Sequence, residues 1–163
     1  MGKINEVIRT MQTYILWRKE KAEHNYIVYF CFLMDKTEHI DYWLRIAEKD
    51  QDMMTYLAEG KRYVQALFFG HLYLEKIAKA LWVKNSTDNI PPKTHNLLKI
   101  IKESNVELPV EDQAFLIKLN QYQIESRYPE DIDKLYKITD QQLIEEYFNR
   151  IAFIEKCLRE KIQ

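Results

Sequence analysis

The chain of 163 residues is short of the residues that interrupt helices, with three glycines and four prolines. Leu, Ile, Lys, Glu and Tyr are plentiful, so the composition favours a mostly helical chain with short connections. Cysteine is scarce as well. Cys31 and Cys157 lie far apart and form neither a CxxC pair nor a zinc spacing, which points to a reducing, cytoplasmic setting. Charge of one sign is also lacking: 24 Lys and Arg against 25 Asp and Glu leave a net charge of −1. No global attraction to nucleic acid or anionic lipid follows from that balance, and any such binding must come from a local patch. The longest apolar run, Tyr26 to Met34, is about half of the ~18 residues needed to span a bilayer. The N-terminus has no charged, then apolar, then small-residue order of a signal peptide. Neither a membrane span nor export is expected.

Known chemical signatures are missing too. The four histidines, His24, His39, His71 and His95, include no HxxxH, HExxH or ExxH pair. No Gly-rich loop cradles phosphates, and no GxSxG elbow or triad spacing occurs. No metal and no cofactor are expected.

What the chain does have is one stretch that organises the rest, KRYVQALFFGHLYLEKIAKALWVK at 61–84. Its apolar residues cover almost the whole circumference of a helix, as in a central helix covered on most sides. The polar exceptions fall mainly on one stripe, where His71, Glu75 and Lys79 recur at i, i+4, i+8 with Lys76 beside them. Two readings of the stripe stand: a partly solvated seam with a Glu-to-Lys pair, or a polar site set against the core. Gly70, next to His71, would let a neighbouring backbone come close. Lys61, Arg62, Lys76, Lys79 and Lys84 against Glu75 form a local basic patch near +4.

At this length the chain reads as one domain able to bury a real core. Residues 3–22 form an amphipathic pattern, and 26–34 continue it as helix or serve an interface. A clear helical pattern begins at Ile40 and closes at Gly60, and the central helix follows almost at once, which predicts an antiparallel hairpin. The stretch NSTDNIPP at 85–92 is a loop, with Pro91 and Pro92 stopping any helix. Leu97 to Ile101 mark a short helix, ended by Ser104, Asn105 and Pro109, and Ala114 to Ile124 mark the next. Tyr128 and Pro129 break that helix, and an acidic loop follows through Glu130, Asp131 and Asp133. Thr139 with Gln142 fits a capping box for a last helix running to about Lys161.

Two further signals are positional. His95 lies near the start of a short helix, where a neutral imidazole is preferred electrostatically, or where it simply caps or packs. Arg127 and Tyr128, in ESRYPED, combine a guanidinium and a phenol. They suit phosphate or base recognition, or an ion pair that caps carbonyls.

Residues 39–160 resemble a HEPN domain (higher eukaryotes and prokaryotes nucleotide-binding), in the stand-alone prokaryotic branch often encoded beside minimal nucleotidyltransferases. The resemblance rests on YWLRIAEKD at 42–50, YVQALFFGHLYLEKIAKALWVK at 63–84, PPKTHNL at 91–97, LNQYQIESRYPE at 119–130 and YKITDQQLIEEYFNRIAFIEKCL at 136–158. It implies an all-α, up-and-down bundle of about five helices that dimerises. Carried over by position, Glu75, Lys76, Lys79, His95, Arg127 and Tyr128 match the family's characteristic positions. In that bundle Arg127 approaches Glu75, which orients it, while Lys76 or Lys79 stays available to an anion.

Many HEPN proteins are metal-independent ribonucleases with an Arg, then four to six residues, then a His. Arg127, Arg150 and Arg159 have no histidine downstream, and only Arg18 and His24 satisfy the spacing, outside the resembling region. Residues 1–38 read as a helical N-terminal extension suited to an interface, with Met34 as an alternative start, and 39–163 as the bundle domain. The expected function is a non-catalytic binding module: a homodimer that takes a nucleotide, RNA or a nucleotidyltransferase partner. A ribonuclease toxin of a toxin–antitoxin pair and a purely structural dimerisation protein are the alternatives.

Overall fold

The computed structural model describes residues 35–126 and 128–163. Expectations that fall on residues 1–34, namely the first amphipathic helix, the run at 26–34, Cys31, Met34 and the Arg18–His24 pair, lie outside the described residues, as does Arg127. The described helices belong to one compact unit that begins at Met34.

Six helices and no strand make up the described residues, so the chain is an all-α bundle. Helix α1 (Lys36–Glu59) opens on a reciprocal cap: the Glu38 N–H donates to the Asp35 carboxylate at 2.9 Å, and the Asp35 N–H donates to the Glu38 carboxylate at 2.8 Å. Such a box satisfies two of the donors that a helix start leaves unpaired. Its C-terminus stops at Gly60, but the left-handed residue of the turn is Lys61, at φ 55°. Three connecting residues, 60–62, lead into α2 (Tyr63–Asn85). Contacts of Trp43 with Lys79, Asp50 with Lys76 and Met54 with the Gly70 position run in opposite senses along the two helices. The expected antiparallel hairpin is present.

Helix α2 touches every other described helix. Leu67, Tyr73, Leu74, Ile77, Ala78, Leu81 and Val83 are sealed from solvent, while the line Gln65, Phe69, Leu72 and Lys76 is half-buried. An α-helix without a polar face can exist in water only if neighbours supply the missing cover. At Gly70 the close neighbours are side chains rather than the expected backbone: a Cβ there would come within 2.8 Å of Ile151 Cδ1 and 3.1 Å of Met54 Sδ.

Residues 86–96 cross from α2 to α3 (Leu97–Glu103), which starts at Asn96, whose side chain accepts from Lys99 N–H at 3.0 Å. The crossing is tied to the first turns of α1. Lys36 Nζ donates to the Ser86 carbonyl at 2.6 Å, and the His39 ring contacts the Asn89 carbonyl. Helix α4 (Val110–Glu125) buries Leu116, Leu119 and Tyr122.

The acidic loop expected after Tyr128 is instead a helix, α5 (Pro129–Ile138), which raises the count above the expected five. Proline at the first helical position loses no hydrogen bond, since that N–H has no intrahelical acceptor, and its fixed φ suits the turn. An acidic residue such as Asp131 in the first turn is favoured by the helix dipole. Leu135 is buried, and Gln65 of α2 bonds the Tyr136 hydroxyl.

Helix α6 (Gln141–Ile162) is capped by Asp140, which accepts from Leu143 N–H at 2.8 Å. The predicted Thr139–Gln142 box is absent because Thr139 serves the preceding helix. Its hydroxyl donates to the Leu135 carbonyl at 2.7 Å and accepts from the buried Tyr122 hydroxyl at 3.0 Å. Ile144, Tyr147, Ile151, Ile154 and Leu158 face the core. No described helix is long and apolar enough to cross a membrane.

Truncating Leu74 to Ala removes a fully buried side chain and should lower stability by about 2–5 kcal/mol. Asp140→Ala should cost about 1 kcal/mol through the lost cap, whereas Gln142→Ala should change little. Urea denaturation of the three variants checks both. Equal effects at 140 and 142 would restore the Thr139 cap, and an unmoved midpoint for Leu74→Ala would place that side chain outside the core.

Candidate functional site

The polar stripe of α2 lies inside the bundle. His71 is fully buried, and Glu75 and Lys79 are nearly so. The stripe is buried rather than partly solvated, and it contains the Glu75-to-Lys79 pair of the first reading.

Glu75 is its centre. Lys79 Nζ, one turn on, donates to Glu75 Oε1 at 2.7 Å, and the same ammonium lies 5.1 Å from the centre of the Trp43 ring on α1. The His95 Nδ1–H, from the segment before α3, donates to Glu75 Oε2 at 2.9 Å. Both carboxylate oxygens are therefore engaged. Burial pushes the Glu75 carboxyl up, but the hydrogen bonds and charges of Lys79 and His95 outweigh it and hold the group below its ordinary value.

Behind this pair sits His71. Its Nε2–H points at two acceptors, the His95 carbonyl at 3.0 Å and Asn120 Oδ1 at 2.9 Å, and Asn120 Oδ1 also accepts from Leu97 N–H. Those acceptors fix the tautomer with the proton on Nε2. Nδ1 is then left with a lone pair, buried, without a hydrogen bond, 3.9 Å from Glu75 Oε2. Burial holds the His71 pKa below its ordinary value despite the nearby Glu75.

The arrangement presents one group to solvent. The His95 side chain is 59% exposed, while the Glu75 carboxylate that holds it is 4% exposed. With Nδ1 committed to Glu75, Nε2 faces outward as an acceptor in the neutral ring and a donor in the charged one. An imidazole oriented by a buried carboxylate can take or give a proton at a fixed place, or bond a base edge or a phosphate.

Not every expected residue joins this cluster. Lys76 turns to α1 and pairs with Asp50 at 2.6 Å, so it is not left available to an anion. With Lys76 and Lys79 paired, the cations left of the expected patch are Lys61 and Arg62, just before α2, and Lys84 in its last turn, all exposed. They sit at opposite ends of a helix about 35 Å long, too far apart to act as one patch. Tyr128 is exposed, and its backbone carbonyl caps the start of α5. No hydrogen bond or ion pair among the described residues links its side chain to Glu75, Lys79 or His95. The expected approach of Arg127 to Glu75 lies outside the described residues.

Asn120 and Trp43 are members of the cluster that the sequence did not single out. Asn120 sits one residue into LNQYQIESRYPE, but an Asn inside an amphipathic helix carries no signal of its own. Among the described residues no three His, Cys, Asp or Glu side chains gather as a metal set.

The described residues form an all-α bundle with a histidine–carboxylate–lysine ladder on its central helix. The family model of the HEPN domain matches residues 40–161, three quarters of the chain, and the chain belongs to that family. No curated protein and no solved structure matches it.

The two shifted groups set a stability profile in acid. A histidine whose pKa is lowered by folding stabilises the fold fully above the ordinary value of 6.5, and that stabilisation is lost as pH falls below it. Glu75, lowered from 4.5, contributes above 4.5 and loses its share as pH falls through its folded value. Unfolding free energy should therefore drop in two stages on acidification. His71→Gln should flatten the first and Glu75→Gln the second. At neutral pH Glu75→Gln should itself cost about 3–5 kcal/mol, because it leaves the Lys79 ammonium buried and unpaired. A wild-type curve flat from pH 7 to about 5 would refute the assignment to His71.

Proposed function

We propose that this chain is a HEPN-type binding module that takes a nucleotide or a short RNA segment at His95 and acts as a homodimer. The observation that carries the reading is the Glu75–His95 hydrogen bond at 2.9 Å, which holds an exposed imidazole on a buried support. Family membership supplies the class of ligand, and a nucleotidyltransferase is the partner that the same reading admits. Lys79 keeps Glu75 ionised and in place. Arg127 and Tyr128 complete the site in this proposal, as a phosphate contact and a stacking face. Lys76 contributes least, because Asp50 holds it. The module proper runs from the Asp35 cap of α1 to residue 163, a few residues earlier than the expected start at 39, with the residues before it as an appended segment, in the cytoplasm.

The charges of Glu75 and Lys79 cancel, so affinity in this reading comes mostly from hydrogen bonding and stacking. The dependence of log K on log salt should be shallow, with a slope of about −1, the value for one Arg–phosphate contact. His95→Ala should weaken binding about tenfold, as expected for one lost hydrogen bond to a charged or polar ligand, while keeping its helical circular dichroism; by freeing Glu75 Oε2 it should also lower the melting temperature. Titrating nucleotides and short RNAs into wild type, His95→Ala and Arg127→Ala checks this. An absence of saturable binding, or folded variants that bind as wild type does, would make the cluster a structural ion pair and leave a dimerisation protein.

A second reading, the metal-independent ribonuclease toxin, has the same dyad in its favour, since a carboxylate-held histidine is a general base in form. Purified protein incubated with cellular RNA in chelator should leave the RNA intact. Cleavage lost in His95→Ala would promote this reading. Cleavage lost instead in Arg18→Ala or His24→Ala would move the active site to the N-terminal segment.

A further inference from the structure

Helix α4 has a second face that the described residues leave uncovered. Val110, Ala114, Ile117, Gln121 and Ile124 follow one another at alternating steps of four and three residues, the spacing of a helix–helix seam. All five are exposed, Val110 at 75%, Ile117 at 55% and Ile124 at 54%. The core face of the same helix is supplied separately by Leu116, Leu119 and Tyr122. Three branched aliphatic side chains in one line on an exposed helix are more than scattered surface apolar residues, and such a line marks an interaction surface.

Two details say what the surface fits. The first is shape. Beside the seam a groove of about 510 Å³ opens between α4 and α6, with Ala114 and Phe115 on one wall and Arg150 and Phe153 on the other. The small side chain of Ala114 leaves the groove open, and one step along the seam Ile117 stands out as a knob. A hole and a knob three residues apart on the same line can both be matched in one closed pair when two copies run in opposite directions.

The second detail is charge. Glu111 and Lys118 both rim the groove, and neither has an ion pair with another described residue. Seven residues apart on one helix, they stand about 10 Å from each other and cannot pair within the chain. Arg150 does not neutralise Glu111, because its guanidinium is bound to Asp112 at 2.6 Å and lies over the Phe153 ring. In an antiparallel pair of α4 helices centred between Ala114 and Phe115, Lys118 of each copy falls opposite Glu111 of the other. The same register brings each Ile117 within about 3 Å, along the axis, of the other's Ala114.

We infer that this face docks a second copy of the same chain, with the two α4 helices antiparallel, Ile117 seated beside the partner's Ala114 and Lys118 paired with the partner's Glu111. The contact is isologous, so each feature acts twice and the pair closes without leaving a sticky edge. The inference rests on the homodimer reading above and assigns its surface. It also leaves His95 outside the seam: His71 meets Asn120 on the inner side of α4, away from the line of Ile117.

Sedimentation velocity on the full chain separates the possibilities. Wild type should be a dimer. Ile117→Asp, a change at an exposed position, should keep its helical circular dichroism and raise the dimer dissociation constant more than about tenfold. Lys118→Glu and Glu111→Lys should each weaken the dimer, and the double variant should recover to within about threefold of wild type, the signature of a direct pair. With Cys31 and Cys157 replaced by serine, Ala114→Cys should cross-link two copies on oxidation. A wild-type dimer that survives Ile117→Asp, with no recovery in the charge swap, overturns the seam while the homodimer reading stands. A monomeric wild type overturns both. A monomer in which the thiol introduced by Ala114→Cys resists labelling would put some other segment or partner on this face, and equally rejects a second copy.

Discussion

A carboxylate cannot be put inside a bundle without company, and Glu75 is a carboxylate on the helix that the bundle is wrapped around. The side of helix α2 that carries Glu75 is closed to water, so the charge of Glu75 must be answered by groups brought to it. Lys79 comes from the same helix, one turn away, and needs no tertiary structure to be near. His95 does not. It arrives on a segment that is tied at one end to the first turns of α1, through Lys36 and His39, and at the other to α3 through the Asn96 cap. The internal charge therefore dictates the course of an external segment, and the outward ring of His95 is the visible end of that requirement.

The same constraint accounts for His71 and Asn120. Glu75 Oε2 shares its surroundings with a buried imidazole whose proton is drawn to the opposite side by the His95 carbonyl and Asn120. That choice keeps a neutral ring beside an ion pair that is already balanced. Lys76, one position from Glu75 but turned about 100° around the helix, meets a different neighbour, Asp50. Lys76 and Lys79 thus have separate duties that follow from helical geometry alone.

Much of this was legible in the sequence, because the signals were local. The apolar circumference of α2 marked the centre of the bundle. The i, i+4, i+8 stripe marked the face on which His71, Glu75 and Lys79 are buried together, and the NSTDNIPP stretch marked the crossing. The failures share a physical cause: a residue with two possible local roles was assigned the wrong one. Proline at 129 reads as a stop when it follows a helix and as a start when it precedes one. Thr139 stands where one helix ends and another begins, and only the position of the Tyr122 hydroxyl shows which helix it serves. Asn120 and Asp50 could not be found at all, since a partner across the bundle leaves no trace in the spacing of its own helix. The local basic patch failed for the related reason that cations were counted without the acids facing them.

The three-residue turn between α1 and α2 has a kinetic meaning. A short connection makes the pairing of two long helices a local event, with little chain entropy lost in closing the loop. Every later helix must find α2 from a greater distance along the chain. Folding that begins with this hairpin would present α2 half covered, a ready template on which α3 to α6 condense in turn. A domain ordered in that way has low contact order and belongs among the fast folders.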